Sequence, residues 1–219
     1  MTEPAPAIVR TVFLVDGFNL YHSLARAARD LPGTSVKWLD LPALLGSSLH
    51  LVDSRARLVG IHYFSAYAHH HQADNPGKVE RHRAYVRALT ANGVHAHLAR
   101  FQVRDVWCPR CRAFHATHEE KETDVAIACQ LLTLAASDAL DAGVIVSGDS
   151  DLAPAARAFR LAHPGKRLLF AFPYHRKNNE LAKLAPGSFT FSRESYARHP
   201  FPDRVRLPSG NHVTKPAIW

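Results

Sequence analysis

The sequence lacks several features that would place it in a common class of protein. No stretch approaches the ~20 consecutive apolar residues that a membrane-spanning helix needs. The first residues, MTEPAPAIVR, have no basic segment followed by an apolar one, so we expect no secretory signal. Cysteine is scarce too. Its three copies form an odd set, which argues against a disulfide framework and favours a reducing compartment such as the cytoplasm.

Acidic residues are outnumbered by basic ones. The chain has 19 aspartates and glutamates against 27 lysines and arginines, which gives a net charge of +8 before its 15 histidines are counted. This excess of positive charge favours a polyanionic partner, of which nucleic acid is the usual one. Because many basic proteins bind no nucleic acid, charge alone does not assign a function.

What the sequence does contain is an alternation of strand-like and helix-like segments. The 219 residues, 47% of them hydrophobic, are enough for one α/β domain with a sizeable core. The expected strands lie at 11–15, 58–65, 94–101, 143–147 and 167–172. The expected helices lie at 19–29, 76–91, 123–137, 151–162 and 178–184. The alternation predicts βαβ units around a mostly parallel central sheet flanked by helices.

Two segments interrupt this alternation. Residues 102–121 are too polar and too rich in cysteine and histidine for a core element, and we interpret them as a hairpin insertion. Residues 196–219 are punctuated by proline and predict a C-terminal extension docked on the domain as a loop or short hairpin. The main domain is therefore expected to cover residues 8–195.

Four aspartates lie at or close to the ends of expected strands and helices. Asp16 ends the first strand, Asp149 and Asp151 follow the fourth, and Asp124 opens a helix. Each alone is most simply a cap or turn residue. Together they converge, because the carboxyl ends of parallel strands meet at one edge. Two carboxylates two residues apart repel each other unless a cation neutralises them, and oxygen ligands suit Mg²⁺ or Mn²⁺.

Three motifs extend this pattern to a known family. FLVDGFNLYHS, EKETDVAIACQLL and VIVSGDSDLAPAARAF, in this order and spacing, resemble the NYN domain family, a branch of the PIN-like nuclease superfamily. The resemblance runs from about Thr11 to about Phe191. It implies a Rossmann-like PIN core and metal-dependent ribonuclease activity.

The resemblance also implies roles for individual residues. Asn19 matches the asparagine of the first motif, expected to orient a water, a metal ligand or the substrate. Ser147 matches a motif serine that hydrogen-bonds an aspartate or a phosphate, and Glu122 is a second choice beside Asp124. The implied catalytic Mg²⁺ or Mn²⁺ ligands are Asp16, Asp124, Asp149 and Asp151.

Two alternatives stand beside the ribonuclease hypothesis. Phosphatases of the haloacid dehalogenase type also place an aspartate after strand one, but they need a second aspartate where this chain has Phe18. The other alternative is a non-catalytic RNA-binding or regulatory module on the same fold. The complete set of mutually repelling carboxylates argues against it.

The segment CPRCRAFHATH offers a candidate zinc site. Cys108 and Cys111 are separated by two residues, as in many tetrahedral zinc sites, and His115 and His118 are candidates to complete the shell. The alternative is a solvated loop with two free thiols. Cys129 lies in the helix over 123–137, and we expect it in the core.

Basic residues and aromatic rings are interleaved in three places. The clusters lie at 78–89, 104–112 and 174–179. The third follows a parallel strand and therefore opens at the ligand-binding edge. The partner we expect is RNA, with DNA and a homo-oligomer left open. The residues expected to bind substrate are Ser147, Tyr174, Arg176 and Lys177.

Overall fold

The structure is a computed structural model that describes residues 7–69 and 75–219, without the side chains of 116–121. Its helices are α1 (Gly17–Asp30), α2 (Leu41–Ser47), α3 (Lys78–Ala91), α4 (Thr123–Ala136), α5 (Ala153–Ala162), α6 (Asn179–Leu184) and α7 (Arg193–Arg198). Its strands are β1 (Val9–Asp16), β2 (Ala56–Ala66), β3 (His95–Cys108), β4 (Ala113–Lys121), β5 (Ala142–Val146), β6 (Arg167–Phe172), β7 (Gly187–Thr190), β8 (Arg204–Arg206) and β9 (His212–Thr214).

A central sheet of seven strands runs in the order β4-β3-β2-β1-β5-β6-β7. All neighbouring pairs are parallel except β3 and β4, which pair antiparallel. The predicted α/β class with a mostly parallel sheet is confirmed. The strand order reverses between β1 and β5. In sheets of this kind, ligands bind in the crevice beyond the carboxyl ends of the strands at that reversal.

Helices cover both faces of the sheet. One face packs against α1, α2, α3 and α7 in a core cluster that includes Trp38 and Tyr85. The other face packs against α4, α5 and α6 in a cluster that includes Leu131 and Phe159. The central strand β5 is buried at all five positions, which explains its uninterrupted apolar sequence AGVIV. Beside it, β1 is buried from Thr11 to Asp16, so the carboxyl ends of both central strands lie in the core of the sheet.

Residues 102–121 form the outer part of the sheet. Strand β3 continues past the predicted end at residue 101 to Cys108, and β4 returns beside it with Cys108 opposite Ala113. The long strand leaves the body of the domain, and its last residues are mostly exposed. The two strands thus make an antiparallel hairpin whose turn contains the CPRC sequence.

The C-terminal residues pack on the same body. Strands β8 and β9 form a small antiparallel hairpin, and Phe201, Val205 and Val213 are buried in the core cluster of the α1 face. The predicted boundary between the main domain and the C-terminal extension, at residue 195, falls inside helix α7. That boundary stays a prediction. Within the part of the chain that the structure describes, every helix is too short or too polar to span a bilayer.

Helix α4 corrects one prediction. Its sequence suggests an apolar stripe through Val125 and an internal Cys129, yet Val125 is 66% exposed and Cys129 is exposed as well. The residues that face the sheet are Ile127, Leu131 and Ala135. The helix is apolar on most of its surface, so its pattern did not indicate which side packs inward.

Candidate active site

A polar pocket of about 270 Å³ opens beyond the carboxyl ends of β1 and β5. We call it the acidic pocket, since three carboxylates from three separate segments line it. It lies where the strand order reverses, the position expected for a ligand in this architecture. Its lining residues are Asp16, Phe18, Asn19, His22, Thr123, Asp124, Asp149 and Arg176.

Asp16 is the buried floor of this pocket, with only 4% of its surface exposed. One carboxylate oxygen accepts a hydrogen bond from the backbone N–H of Asn19 (2.9 Å), which caps helix α1. The other accepts from the hydroxyl of Ser147 (2.8 Å). Burial raises the pKa of Asp16, and the charge of Asp149 adds to this rise, while the two hydrogen bonds oppose it. Asp16 is therefore both a helix cap and a carboxyl group held out of water.

Ser147 connects the two aspartates. It is completely buried, donates to Asp16, and its oxygen accepts from the backbone N–H of Asp149 (3.0 Å). The carboxylate of Asp149 in turn accepts from the N–H of Asp151 (3.1 Å), which starts a short 3-10 turn over Ser150–Leu152. The serine thus connects the Asp16 carboxylate to the backbone of Asp149.

Gly148 allows the backbone of Arg176 to pack closely against the loop after β5. A Cβ atom there would overlap the carbonyl oxygen of Arg176, so this position has room only for glycine. The Gly148 N–H donates to the side-chain oxygen of Asn19 (3.1 Å), and its carbonyl accepts from the side chain of Asn178 (3.1 Å). The asparagine side chains thus link the loop after β5 to α1 and to the start of α6. The arginine enters the pocket as a consequence of this packing.

Asp124 comes from the opposite side, in the first turn of α4. The preceding Glu122 has a left-handed backbone (φ 82°), which turns the chain from β4 into the helix. Thr123, 3% exposed, and Asp124 both line the pocket. The carboxylate of Glu122 instead points to Arg100, 3.7 Å away on β3. Of the two acids considered for this segment, the structure brings Asp124 to the pocket.

The three pocket carboxylates share a cavity without crowding together. Among the described residues, the one set of at least three candidate ligand atoms within 4.8 Å of one another is that of Cys108, Cys111 and His115. Carboxylate oxygens are nevertheless the ligands that Mg²⁺ and Mn²⁺ prefer, and Mg²⁺ commonly keeps several waters in its shell. The donor set of the acidic pocket fits such an ion.

The second cluster of candidate ligands lies at the turn between β3 and β4, and we call it the Cys/His turn. The sulfur of Cys111 is 2.9 Å from Nε2 of His115. Backbone N–H groups of the turn and the neighbouring Cys111 lower the pKa of Cys108. A tetrahedral zinc site has ligand–ligand distances of roughly 3.5–3.8 Å, so these atoms are close enough for one ion. The side chain of His118, also predicted as a ligand, lies outside the described residues.

A larger cavity of about 410 Å³ adjoins the acidic pocket on the α1 and α3 side of the sheet. We call it the aromatic cavity, because six of its lining residues are phenylalanine, tyrosine or tryptophan: Phe18, Tyr21, Tyr63, Tyr85, Phe101 and Trp219. Lys37, Lys78 and Arg81 also line it, and Phe18 and His22 line both cavities. The two cavities are therefore neighbours with a shared wall.

A family model for the NYN domain matches residues 10–193, which is most of the chain. The chain belongs to the NYN domain family. This is a PIN-like nuclease family, and the recognition made from the three sequence motifs is confirmed. The matched range contains every residue of the acidic pocket and of the Cys/His turn.

Two individual proteins resemble this NYN domain. The 6-hydroxy-3-succinoylpyridine 3-monooxygenase HspA of Pseudomonas putida is 28% identical over 78% of the chain, and the chain spans 61% of that protein's length. The crystal structure of a protein of unknown function from Vibrio parahaemolyticus superposes with a TM-score of 0.58 at 15% identity. The superposition covers 87% of this chain and 97% of the Vibrio protein. At this level of identity the similarity supports the fold alone.

The NYN domain places the remaining predicted residues outside the acidic pocket. Asp151 is exposed on the 3-10 turn, and Lys177 is exposed beside Arg176; neither lines the pocket. Tyr174 turns away: its hydroxyl donates to Asp30 (3.2 Å) at the end of α1. Their assignment to the site stays a prediction.

Three pocket residues were not predicted from the sequence. His22 lies three residues after Asn19 on α1, a spacing that places both on one helix face. Burial and the nearby charges of Arg176 and Lys78 lower the pKa of His22. Thr123 precedes Asp124, and Phe18 follows Asp16 by two residues. The helical spacing of His22 was the one available signal.

Proposed function

We propose that this NYN domain is a metal-dependent ribonuclease that hydrolyses RNA phosphodiester bonds. The observation that supports the proposal is the acidic pocket: Asp16, Asp124 and Asp149 come from three distant segments and line one polar cavity together with Arg176. Carboxylates that line one small cavity repel one another, and a bound cation would relieve that repulsion. An arginine beside them suits a phosphate.

The proposed Mg²⁺ or Mn²⁺ ligands are Asp16, Asp124 and Asp149, with Asp151 contributing from the adjacent turn. A divalent ion bound there lowers the pKa of a water molecule and stabilises the charge of a scissile phosphate. A carboxylate has about four acceptor positions. The two hydrogen bonds on Asp16 therefore leave it able to act as a ligand while they fix its orientation.

The remaining pocket residues position the substrate in this proposal. The side-chain oxygen of Asn19 is held by Gly148, which directs its amide group at the pocket as a donor to a phosphate oxygen or a water. Arg176 binds the phosphate, with Lys177 next to it. Ser147 acts on the carboxylates rather than on RNA, because it is buried beneath them.

A cleavage assay tests this function directly. A mixed pool of labelled RNA, incubated with the purified chain and Mn²⁺ or Mg²⁺, should be degraded, and EDTA should stop the reaction. Asp149→Ala should abolish cleavage, whereas the matched control Asp203→Asn should keep it, because Asp203 is an exposed partner of Lys215 far from the pocket lining. A parallel pool of single-stranded DNA establishes whether the sugar matters.

The same assay discriminates the non-catalytic alternative. A regulatory RNA-binding module would retain RNA on the basic surface without shortening it, and Asp149→Ala would leave binding and RNA length unchanged. Binding without cleavage in metal-replete buffer would contradict the ribonuclease proposal.

A second candidate function is the binding of a small aromatic acid as substrate. It follows from the Pseudomonas relative, which is named for a hydroxylated pyridine. The aromatic cavity favours it, since its rings and its three cations suit a small aromatic acid. Titration of the chain with 6-hydroxynicotinate, followed by isothermal calorimetry, tests it. Absence of binding at millimolar concentration would remove this candidate.

We propose Zn²⁺ for the Cys/His turn, held by Cys108, Cys111 and His115. Two thiolates and an imidazole are typical ligands of structural zinc, and their atoms already lie within 4.8 Å of one another. Protein purified without chelator should contain one zinc per chain. Cys111→Ser should lose it, whereas Cys129→Ser on exposed α4 should not.

A further inference from the structure

The aromatic cavity has the composition of a site for a planar, anionic ligand. Phe18 and Phe101 meet edge to face with ring centroids 5.7 Å apart, and Tyr21 stands 41% exposed. Rings at the mouth of a cavity offer stacking surface that water does not satisfy well. Its volume of about 410 Å³ falls in the range of small-molecule and nucleotide sites.

Charge in this cavity has one sign. Lys37, Lys78 and Arg81 line it, and among the described lining residues there is no aspartate or glutamate side chain. Arg81 is oriented by Asn75 and by the carbonyl of Pro76 at the start of α3. A ligand with a phosphate group complements this lining.

Polar groups at the back of the cavity can read the edge of a ring. The hydroxyl of Ser65, a residue only 2% exposed, lies 3.4 Å from Nε2 of His82. Burial and the charge of Lys78 lower the pKa of His82 to about 4, so its imidazole is neutral near pH 7. A neutral imidazole and a hydroxyl each offer a donor and an acceptor, the groups that recognise base edges.

The cavity adjoins the acidic pocket. Phe18 and His22, on the first two turns of α1, line both spaces, and Gly17 lies between them and Asp16. A Cβ on Gly17 would contact the ring of Tyr63 and the carbonyl of Phe64 at 2.6–2.7 Å, so the chain passes as close to the cavity wall as backbone can. A strand of nucleic acid with one phosphate in the acidic pocket has its neighbouring nucleotide at this wall.

We infer that the aromatic cavity binds an unpaired nucleobase of the substrate strand, stacked on Phe101 with the perpendicular ring of Phe18 at its edge, next to the phosphate in the acidic pocket. This subsite rests on the proposed ribonuclease function and adds to it a requirement for single-stranded substrate at that position. Lys78 and Arg81 neutralise the phosphate of the captured nucleotide. Ser65 and His82 face the edge of the base.

Binding without cleavage tests the subsite separately from the nuclease activity. The full chain carries Asp149→Asn to block turnover and Trp107→Phe to remove the fluorescence of the exposed hairpin tryptophan. Two tryptophans remain: Trp38 is fully buried, whereas Trp219 lines the cavity, so a ligand in the cavity is reported by quenching of Trp219. In EDTA, uridine monophosphate should quench this fluorescence saturably. Phe101→Leu, which keeps apolar bulk but removes the ring, should weaken the affinity about five- to tenfold. The matched control is Phe114→Leu, an aromatic 67% exposed on β4 and outside the cavity lining, and it should leave the affinity unchanged.

Three outcomes would overturn the subsite: ribose 5-phosphate binding as tightly as uridine monophosphate, nicotinate binding where the nucleotide does not, or equal affinities for Phe101→Leu and Phe114→Leu. Circular dichroism melts of both variants confirm that they fold. If the wild-type chain fails to cut RNA while the nucleotide binds as described, the nuclease proposal fails and the subsite stands. If RNA is cut and Phe101→Leu changes neither nucleotide affinity nor KM, the subsite fails and the nuclease proposal stands.

Discussion

The acidic pocket and the Cys/His turn are built in opposite ways. In the pocket, the hydrogen bond from Ser147 to Asp16 joins residues 131 positions apart and is fully buried. In the turn, the contact between Cys111 and His115 spans four positions and is exposed. The pocket exists only when β1 and β5 lie side by side, whereas the turn needs only a closed hairpin.

This difference predicts which part of the molecule each site depends on. The pocket residues are attached to the buried strands of the central sheet. A change that disturbs the pocket geometry should therefore also lower the stability of the whole domain. The turn lies at the end of a hairpin whose outer residues are mostly exposed, so it can open without unfolding the domain. Four changes test the contrast, from the largest expected effect to the smallest.

Replacing the buried carboxylate of Asp16 should reduce cleavage without lowering stability. We expect Asp16→Asn to reduce RNA cleavage at least about 100-fold, since a metal ligand and its negative charge are lost. Its melting temperature should stay the same or rise. The raised pKa of Asp16 shows that burial disfavours the ionised form, and Ser147 has a second lone pair to accept from an asparagine amide. Cleavage rates and calorimetry check both parts; full activity of the variant would contradict the metal-site proposal.

Adding one methyl group to the loop after β5 should damage the pocket through the core. We expect Gly148→Ala to lower the free energy of unfolding by about 1–3 kcal/mol, because the new Cβ overlaps the Arg176 carbonyl and the loop must move. The control Gly165→Ala has open space at its Cβ and should stay within about 0.5 kcal/mol of wild type. Urea unfolding measures both, and equal stabilities would show that the loop is less tightly packed than described.

Acid should weaken the sheet beside the pocket. His62 is 9% exposed, with Nδ1 3.0 Å from Nε2 of His97, and burial together with the charges of His97 and His95 lowers its pKa from 6.5 to about 4. The unfolded chain then binds the proton more readily than the native one. The contribution of His62 to stability is therefore fully present above pH 6.5 and falls as the pH drops toward 4, by about 2 kcal/mol at pH 5.

Denaturant unfolding at pH 7 and pH 5 checks this dependence. The variant His62→Gln should lose about 2 kcal/mol of this dependence and keep the share of His82, whose pKa is also lowered to about 4. His50→Gln, at an exposed position, should keep all of it. An unchanged pH slope in His62→Gln would assign the acid sensitivity to other groups.

The Cys/His turn should respond locally. We expect Cys111→Ser to change the global free energy of unfolding by less than about 0.5 kcal/mol, because the residue is exposed and remote from both core clusters. Amide hydrogen exchange of the β3–β4 hairpin should accelerate at the same time. Global destabilisation comparable to that of Gly148→Ala would show that the hairpin and the pocket are not independent.

Much of the fold could be predicted because its elements have local signals. Strand β6 lies at the predicted residues, and β1, β5 and α4 differ by at most two residues at either end, since apolar runs and capping residues mark them. The convergence of Asp16, Asp124 and Asp149 followed from the rule that parallel strands end at one edge. Helix α2 was not predicted, although Asp40 caps it and a proline lies in its first turn.

The rest of the site could not be predicted because its contacts cross the chain. Gly148 packs on Arg176 and bonds Asn178, a contact across 30 residues that no local pattern encodes. Asp151 was grouped with the other acids by its spacing; the 3-10 turn leaves it exposed and outside the pocket lining, and its role as a ligand stays a prediction.

The sequence by itself determined the order of most strands and helices along the chain, the family, and the carboxylates available for a metal, since these depend on residue type and local spacing. Tertiary structure alone decided which side of α4 is buried, because a helix apolar on most of its surface gains similar energy by packing on several sides until the sheet selects one. It also decided that Phe18, His22 and Phe101 enclose a cavity beside the acids. Their positions on α1 and β3 become neighbours only when the sheet brings those elements together.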